Sequence, residues 1–155
     1  MADTNGYLRY SEEQVVWQEV PGETALAYTI TGCSVGCKGC HSVDTWPQGS
    51  GTLLTPDYFQ QRLDSYQGLL TCVVFLGGEW QQQALLELLA MARQAGLKTC
   101  LYTGLEDVSN DLRKHLDYLK TGPWIAERGG LNSPTTNQRF VDLRRGELLN
   151  VRFLP

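Results

Sequence analysis

The run Leu69–Leu76, LLTCVVFL, constrains the fold of this chain more than any other stretch. It has the length of a strand, a mostly β-branched, aromatic and aliphatic composition, and no polar alternation. A strand without alternation is covered on both faces, which is the situation of a parallel strand between packed layers. It ends at Gly77-Gly78-Glu79. A helical stripe follows, Leu85, Leu88, Leu89 and Ala92, with Gly96 as its stop. LKTCLYT, Leu97 to Thr103, is a second buried strand, closed by Gly104. Leu105, Val108, Leu112 and Leu116 mark another helix, and DYLK, Asp117 to Lys120, begins a further strand.

Upstream, residues 1–14 read as a polar tail, with a single domain over 15–155. Val15-Val16-Trp17 starts an extended segment that stops at Pro21-Gly22. Thr24–Ile30 alternates, with Leu26, Tyr28 and Ile30 on one face and smaller residues on the other. Thr55-Pro56-Asp57 is a helix start, with a capping Thr, Pro at the first helical position and an acid in the first turn. Tyr58, Phe59, Leu63 and Tyr66 continue it. Past Pro123, ERGGLNSPTTNQ reads as a loop, and RFVDL and LNVRFL as short strands.

Alternation of apolar strands with helices predicts an α/β fold with a mostly parallel sheet. The chain has 155 residues, whereas a complete eightfold barrel needs roughly 200 or more. A partial, open (β/α) barrel or a small doubly wound sheet remains. In both, function collects at the C-terminal ends of the strands. Cys33 and Gly77 both follow such ends, so they are expected on one rim.

The formal charge of −4 argues against nucleic acid as the main partner. It is unevenly spread. Residues 1–111 hold 5 Lys/Arg and 13 Asp/Glu, and residues 112–155 hold 8 and 4. The second part reads as a solvated basic face or a dock for an acidic partner. The N-terminus lacks the basic start and apolar core of a signal peptide, and no apolar run reaches membrane-span length. A cytoplasmic protein with reduced thiols is expected, with no membrane partner.

Three of the five cysteines lie in CSVGCKGCH as C-x3-C-x2-C: Cys33, Cys37 and Cys40. C-x-x-C-H is also a haem-attachment signature, but haem needs another compartment and a distant axial ligand. Structural zinc wants four ligands, and His41 directly follows Cys40, which fits poorly around one tetrahedral ion. A redox dithiol leaves Cys33 unexplained. An iron–sulfur cubane fits better: three close thiolates on a glycine-bearing loop hold three irons and leave the fourth open. Cys72 and Cys100 sit inside apolar strands and read as small core residues.

C-x3-C-x2-C after an early strand, followed by Cys40-His41 and Asp44-Thr45-Trp46, resembles the radical S-adenosylmethionine enzymes, and within them the activases of glycyl-radical enzymes. The resemblance implies a partial (β/α) barrel. It implies that Cys33, Cys37 and Cys40 ligate a 4Fe-4S cluster whose open iron is chelated by S-adenosylmethionine. Gly39 replaces the aromatic residue that often precedes the last cysteine and touches the adenine. The small activases of anaerobic ribonucleoside-triphosphate reductase also have glycine there. EVPGE, FLGGEW, GLKTCLYTG and LKTGPW are similar to that subgroup as well.

The same resemblance gives Gly77, Gly78 and Glu79 the methionine ammonium, Glu79 by its carboxylate and the glycines by backbone carbonyls. Read alone, GGE is a tight strand-to-helix turn. It places His41 near the adenine, against a plain loop histidine. Lys120 is expected at the methionine carboxylate, against a surface lysine. Thr103 is a rim ligand or a strand terminator. Tyr102 stands near a position where pyruvate formate-lyase activases carry an acid, which sets that match apart. Trp17, Trp80 and Trp124 read as packing residues.

The implied protein substrate is the large subunit of anaerobic ribonucleoside-triphosphate reductase, and the implied electron donor is flavodoxin-like or ferredoxin-like. A macromolecular substrate is expected to cap the open face of so small a chain. Alternatives are activation of another glycyl-radical enzyme, of the pyruvate formate-lyase type, a small radical enzyme acting on a metabolite, or a non-enzymatic iron–sulfur or zinc module.

Overall fold

The computed structural model describes residues 6–31 and 51–154. In chain order these form β1 (Leu8–Val16), β2 (Ala25–Ile30), β3 (Thr52–Leu54), α1 (Pro56–Ser65), β4 (Cys72–Leu76), α2 (Gln82–Gln94), β5 (Lys98–Tyr102), α3 (Asn110–Lys114), β6 (Tyr118–Thr121), β7 (Arg139–Asp142) and β8 (Glu147–Leu148). Among the described residues the strands make one open sheet in the order β3-β1-β2-β4-β5-β6-β7-β8. The four inner strands, β2, β4, β5 and β6, are parallel neighbours. The pairings of β1, β3, β7 and β8 are antiparallel. The sheet is therefore mixed, which corrects the expectation of a mostly parallel one: the parallel centre is as expected, and antiparallel strands flank it on both sides.

The register explains why the inner strands are apolar throughout. Tyr28, Phe75, Leu101 and Leu119 stand side by side across four strands. They join one buried cluster with Phe59 and Leu63 of α1, Leu85, Leu88 and Leu89 of α2, and Leu112 of α3. One residue earlier on each strand, Ala27, Val74, Cys100 and Tyr118 face the other way. That face is closed by Val20, Phe140 and Leu149, with Leu131 and Phe153 packed against them. All three helices thus pack on one face, and a C-terminal segment covers the other. A doubly wound sheet would carry helices on both faces, so the partial-barrel reading agrees better with this arrangement.

Local signals account for the helix ends. The Thr55 hydroxyl accepts from the Tyr58 N–H at 3.2 Å, and Pro56 follows it. The Ser109 side chain accepts from Leu112 N–H and starts α3 there rather than at Leu105. Two other expectations shift. Strand β1 begins at Leu8, so half of the expected polar tail, residues 8–14, is strand. It pairs with both β2 and β3 there, and Leu8 is buried. LNVRFL is not a strand: Asn150–Phe153 is a 3-10 turn. The Asn150 side chain takes the ladder's place, accepting from Phe140 N–H and donating to Gln138 O, both at 2.8 Å. Among the described residues no helix is long and apolar enough to cross a membrane.

A polar network closes the end of the sheet where the parallel strands begin. Glu23 Oε2 accepts from Lys98 Nζ at 3.0 Å and from Tyr118 OH at 2.9 Å. Arg144 Nη2 donates to Tyr118 OH at 3.0 Å and to Asp142 Oδ2 at 2.9 Å. Burial works to raise the Glu23 carboxyl, but the hydrogen bonds and the Lys98 charge outweigh it and hold it below its ordinary value. The Arg144 side chain does the same for Asp142.

Two outcomes are expected. Phe75→Ala, at a site in ring contact with Tyr28 and Phe59, costs about 3–5 kcal/mol, read as a lower urea midpoint at unchanged slope. Both Glu23 and Asp142 have carboxyl pKa values lower in the fold than unfolded. Their contribution to stability is complete above about pH 5 and is lost as pH falls through the folded values. Melting temperature should drop on that acid limb, and the Glu23→Gln/Asp142→Asn double variant should show a shallower drop.

Candidate functional site

The C-terminal ends of β2, β4, β5 and β6 share one rim, because the four strands run in the same direction. Cys33, Cys37, Gly39, Cys40 and His41 lie outside the described residues, in the segment that leaves β2 after Thr31 and returns at Gly51. The other expected residues are brought together. Gly77, Gly78 and Glu79 follow β4, Thr103 follows β5, and Lys120 lies in β6.

Gly77 and Gly78 turn the chain sharply off β4. Both have positive φ, +101° and +113°, a region that side-chain-bearing residues avoid. A methyl on Gly77 would also lie 2.8 Å from the Trp80 ring. Gly77 N–H remains tied to Tyr102 O at 2.9 Å, so the turn starts from the sheet ladder. Gly78 packs beside Ile30, the last residue of β2: a methyl there would meet the Ile30 side chain at 3.7 Å. The GGE turn therefore adjoins the strand end from which the cysteine segment departs.

Glu79 opens a short 3-10 turn. Its Oε1 accepts from the Thr103 hydroxyl at 2.7 Å. Its Oε2 is buried and has no hydrogen-bond partner among the described residues. Burial pushes this carboxyl above its ordinary value; Thr103, the residue's own backbone N–H and the charge of Lys120 pull the other way. A buried carboxylate oxygen without a donor costs about 1–3 kcal/mol or more. It suits a cationic donor such as an ammonium group, which would supply both charge and hydrogen bond.

Lys120 is 8% exposed and is no surface lysine. Its amine donates to Gly122 O at 2.9 Å and to Thr103 O at 3.4 Å, and lies 6.0 Å from the centre of the Tyr102 ring. It ties the ends of β5 and β6 together beside Glu79. Thr103, 2% exposed, also accepts from Leu105 N–H at 3.1 Å. It is thus more than a strand terminator.

Sequence reasoning did not single out Gly122 and Gln138. The Gly122 carbonyl receives Lys120, and the buried Gln138 side chain reaches the same oxygen at 3.5 Å. The glycine directly after β6 was the available signal for the first; nothing local marked the second. Cys72 and Cys100 are buried in β4 and β5, and burial raises both thiols. They are core residues, as read. Among the described residues no group of three or more His, Cys, Asp or Glu side chains could hold a metal ion.

The comparisons agree with a cluster-bearing chain. Residues 20–134 match the family model described as a 4Fe-4S single cluster domain. That span contains every candidate residue expected from the sequence, from Cys33 to Lys120, and ends before Gln138. The chain is also similar to the pyruvate formate-lyase-activating enzyme of Clostridium pasteurianum, at 27% identity over 116 residues. The alignment covers 70% of this chain and 48% of that protein, so the chain spans about half the length of the curated relative it matches.

Glu79→Gln should leave the chain without ligands as stable as before or more so, because it removes a desolvated carboxylate. Urea unfolding at neutral pH checks this. Gly77→Ala should destabilise by about 1–3 kcal/mol through backbone strain and the Trp80 clash.

Proposed function

Because the chain belongs to the family of 4Fe-4S single cluster domains, we propose that it is a radical S-adenosylmethionine activase. In this reading Cys33, Cys37 and Cys40 hold a 4Fe-4S cluster. Three thiols at C-x3-C-x2-C spacing suit three corners of a cubane and leave one iron open. The observation that carries the reading is the buried Glu79 Oε2, without a partner among the described residues, beside the end of β2. It offers the acceptor that the methionine ammonium needs, next to the segment bearing the cysteines.

The remaining roles follow from chemistry. Gly77 and Gly78 let a ligand approach the backbone closely. Gly39 and His41 flank the adenine. Lys120 holds the rim together and keeps a positive charge near Glu79. Its bonds to Gly122 and Thr103 hold its amine at the rim, where in this reading it also meets the methionine carboxylate. When bound, the cluster and S-adenosylmethionine supply one-electron cleavage of the sulfonium to methionine and a 5′-deoxyadenosyl radical, which takes a hydrogen atom from a glycine of the substrate protein. The electron comes from a low-potential flavodoxin-like or ferredoxin-like donor. No proton-transfer residue is needed for hydrogen-atom abstraction, which agrees with a rim whose described residues include Gly77, Gly78, Glu79, Thr103 and Lys120.

The substrate protein in this proposal is the large subunit of anaerobic ribonucleoside-triphosphate reductase. Gly39, GLKTCLYTG and LKTGPW support it by their likeness to the small activases of that reductase, as does Tyr102 in place of an acid. The setting is cytoplasmic, where thiols stay reduced.

The test is electron paramagnetic resonance of the anaerobically reconstituted, reduced protein. Addition of S-adenosylmethionine should change the cluster signal, and further addition of the reductase should give a glycyl doublet. Cys33→Ala, Cys37→Ala and Cys40→Ala should each lose most bound iron and all S-adenosylmethionine cleavage. An unchanged cluster signal would sink the activase reading; cleavage without a doublet would sink the choice of reductase.

A further inference from the structure

Thr103 is joined to Glu79 across two strands by a hydrogen bond. Its Oγ1 accepts from Leu105 N–H at 3.1 Å and lies 2.7 Å from Glu79 Oε1. A backbone N–H can only donate, so that contact uses the hydroxyl as acceptor. Towards an ionised Glu79 the hydroxyl donates and Oε1 accepts. Oε2 is then the oxygen that Thr103 does not hold.

The backbone around the pair is held independently. Thr103 N–H donates to Lys120 O at 2.9 Å, Lys120 Nζ donates to Thr103 O at 3.4 Å, and Gly77 N–H donates to Tyr102 O at 2.9 Å. The hydroxyl is therefore a fixed donor on a fixed strand end rather than a surface group that found a neighbour. The carboxyl it faces is buried and is pushed towards its neutral form by that burial. A hydrogen bond to the charged form opposes this push.

We propose that Thr103 is a positioning residue acting through Glu79: its hydroxyl holds one carboxylate oxygen and thereby orients the group, leaving the other oxygen for the primary ammonium of the ligand. The proposal rests on the S-adenosylmethionine reading above and gives Thr103 a role without contact to the ligand.

The experiment is a double-mutant cycle on the reconstituted holoprotein, reading the dissociation constant for S-adenosylmethionine by equilibrium dialysis under anaerobic conditions. Thr103→Val, which keeps shape and removes the hydroxyl, should weaken binding about 10-fold or more, as expected for a lost hydrogen bond to a charged group. Thr103→Ser should restore it to within about threefold, since it keeps the donor. In a Glu79→Gln background, Thr103→Val should have almost no further effect. Melting temperatures of the variants check that each remains folded.

An unchanged constant in Thr103→Val overturns the proposal. So does an undiminished loss in the Glu79→Gln background, which would mean that Thr103 acts on the ligand directly or through the general fold. Failure of Thr103→Ser to rescue overturns it as well. If the unmutated holoprotein itself does not bind S-adenosylmethionine, the functional reading falls and takes this proposal with it. Binding by the unmutated protein without coupling in the cycle removes the Thr103 role alone.

Discussion

Parallel strands cannot be joined by tight turns, and their ladders do not tolerate a wet face well. Four of them lie at the centre of this chain, and the rest of the fold follows from their needs. Each crossover carries a helix, and all three helices land on the same face. The opposite face is then left to the C-terminal segment, which covers it with Phe140, Leu149 and Phe153 rather than with a helix. Antiparallel strands complete the hydrogen bonding of β2 on one side and β6 on the other. Because the four strands point the same way, the loops that leave their C-terminal ends converge on one rim.

What could be read in the sequence was what burial imprints on it. The apolar runs of β4 and β5, the alternation of β2 and the stripe of α2 each report a covered surface, and each lies where its pattern placed it. The Thr55-Pro56 cap is local chemistry and was equally legible. Strand β1 was not, because its middle carries Ser11, Glu12, Glu13 and Gln14 and holds its place by ladder bonds and by pairing of Glu13 with Arg62 and Tyr58. A strand held in that way leaves little hydrophobic signature. LNVRFL failed for the opposite reason: its composition is strand-like, but one asparagine side chain occupies the edge. At the rim, the positions of Gly77, Glu79, Thr103 and Lys120 could be inferred from strand ends. Their bonding could not, since the Thr103–Glu79 contact joins residues 24 apart in sequence. The burial of Lys120 was hidden for the same reason, as its acceptors are carbonyls, which composition does not reveal.

The two ends of the parallel sheet treat carboxylates in opposite ways. Glu23 receives a lysine and a tyrosine, and its charged form is favoured in the fold. Glu79 receives the Thr103 hydroxyl and keeps an oxygen without a donor among the described residues, and its charged form is penalised by burial. Linkage gives these opposite signs in pH. Glu23 lends stability that vanishes on acidification, whereas Glu79 takes stability away as pH rises through its folded value. One end of the sheet is thus satisfied within the chain, and at the other a carboxylate oxygen has no donor among the described residues. Functional sites commonly carry local strain or dissatisfaction that the rest of the fold sustains.

The described chain stops at Thr31 and resumes at Gly51, and these two residues meet. Thr31 N–H donates to Arg9 O at 2.8 Å, and a methyl on Gly51 would lie 2.9 Å from Thr31 Cγ2. These contacts, made among described residues, bring together the two points between which the cysteine-bearing stretch of the sequence runs. Loop length between two ends already held together carries only a slowly growing entropic cost, so the span between Thr31 and Gly51 can vary in length at little cost. In zinc fingers the metal is the reason the polypeptide folds at all; here the Arg9–Thr31 hydrogen bond and the approach of Thr31 to Gly51 are joins the polypeptide makes with its own atoms.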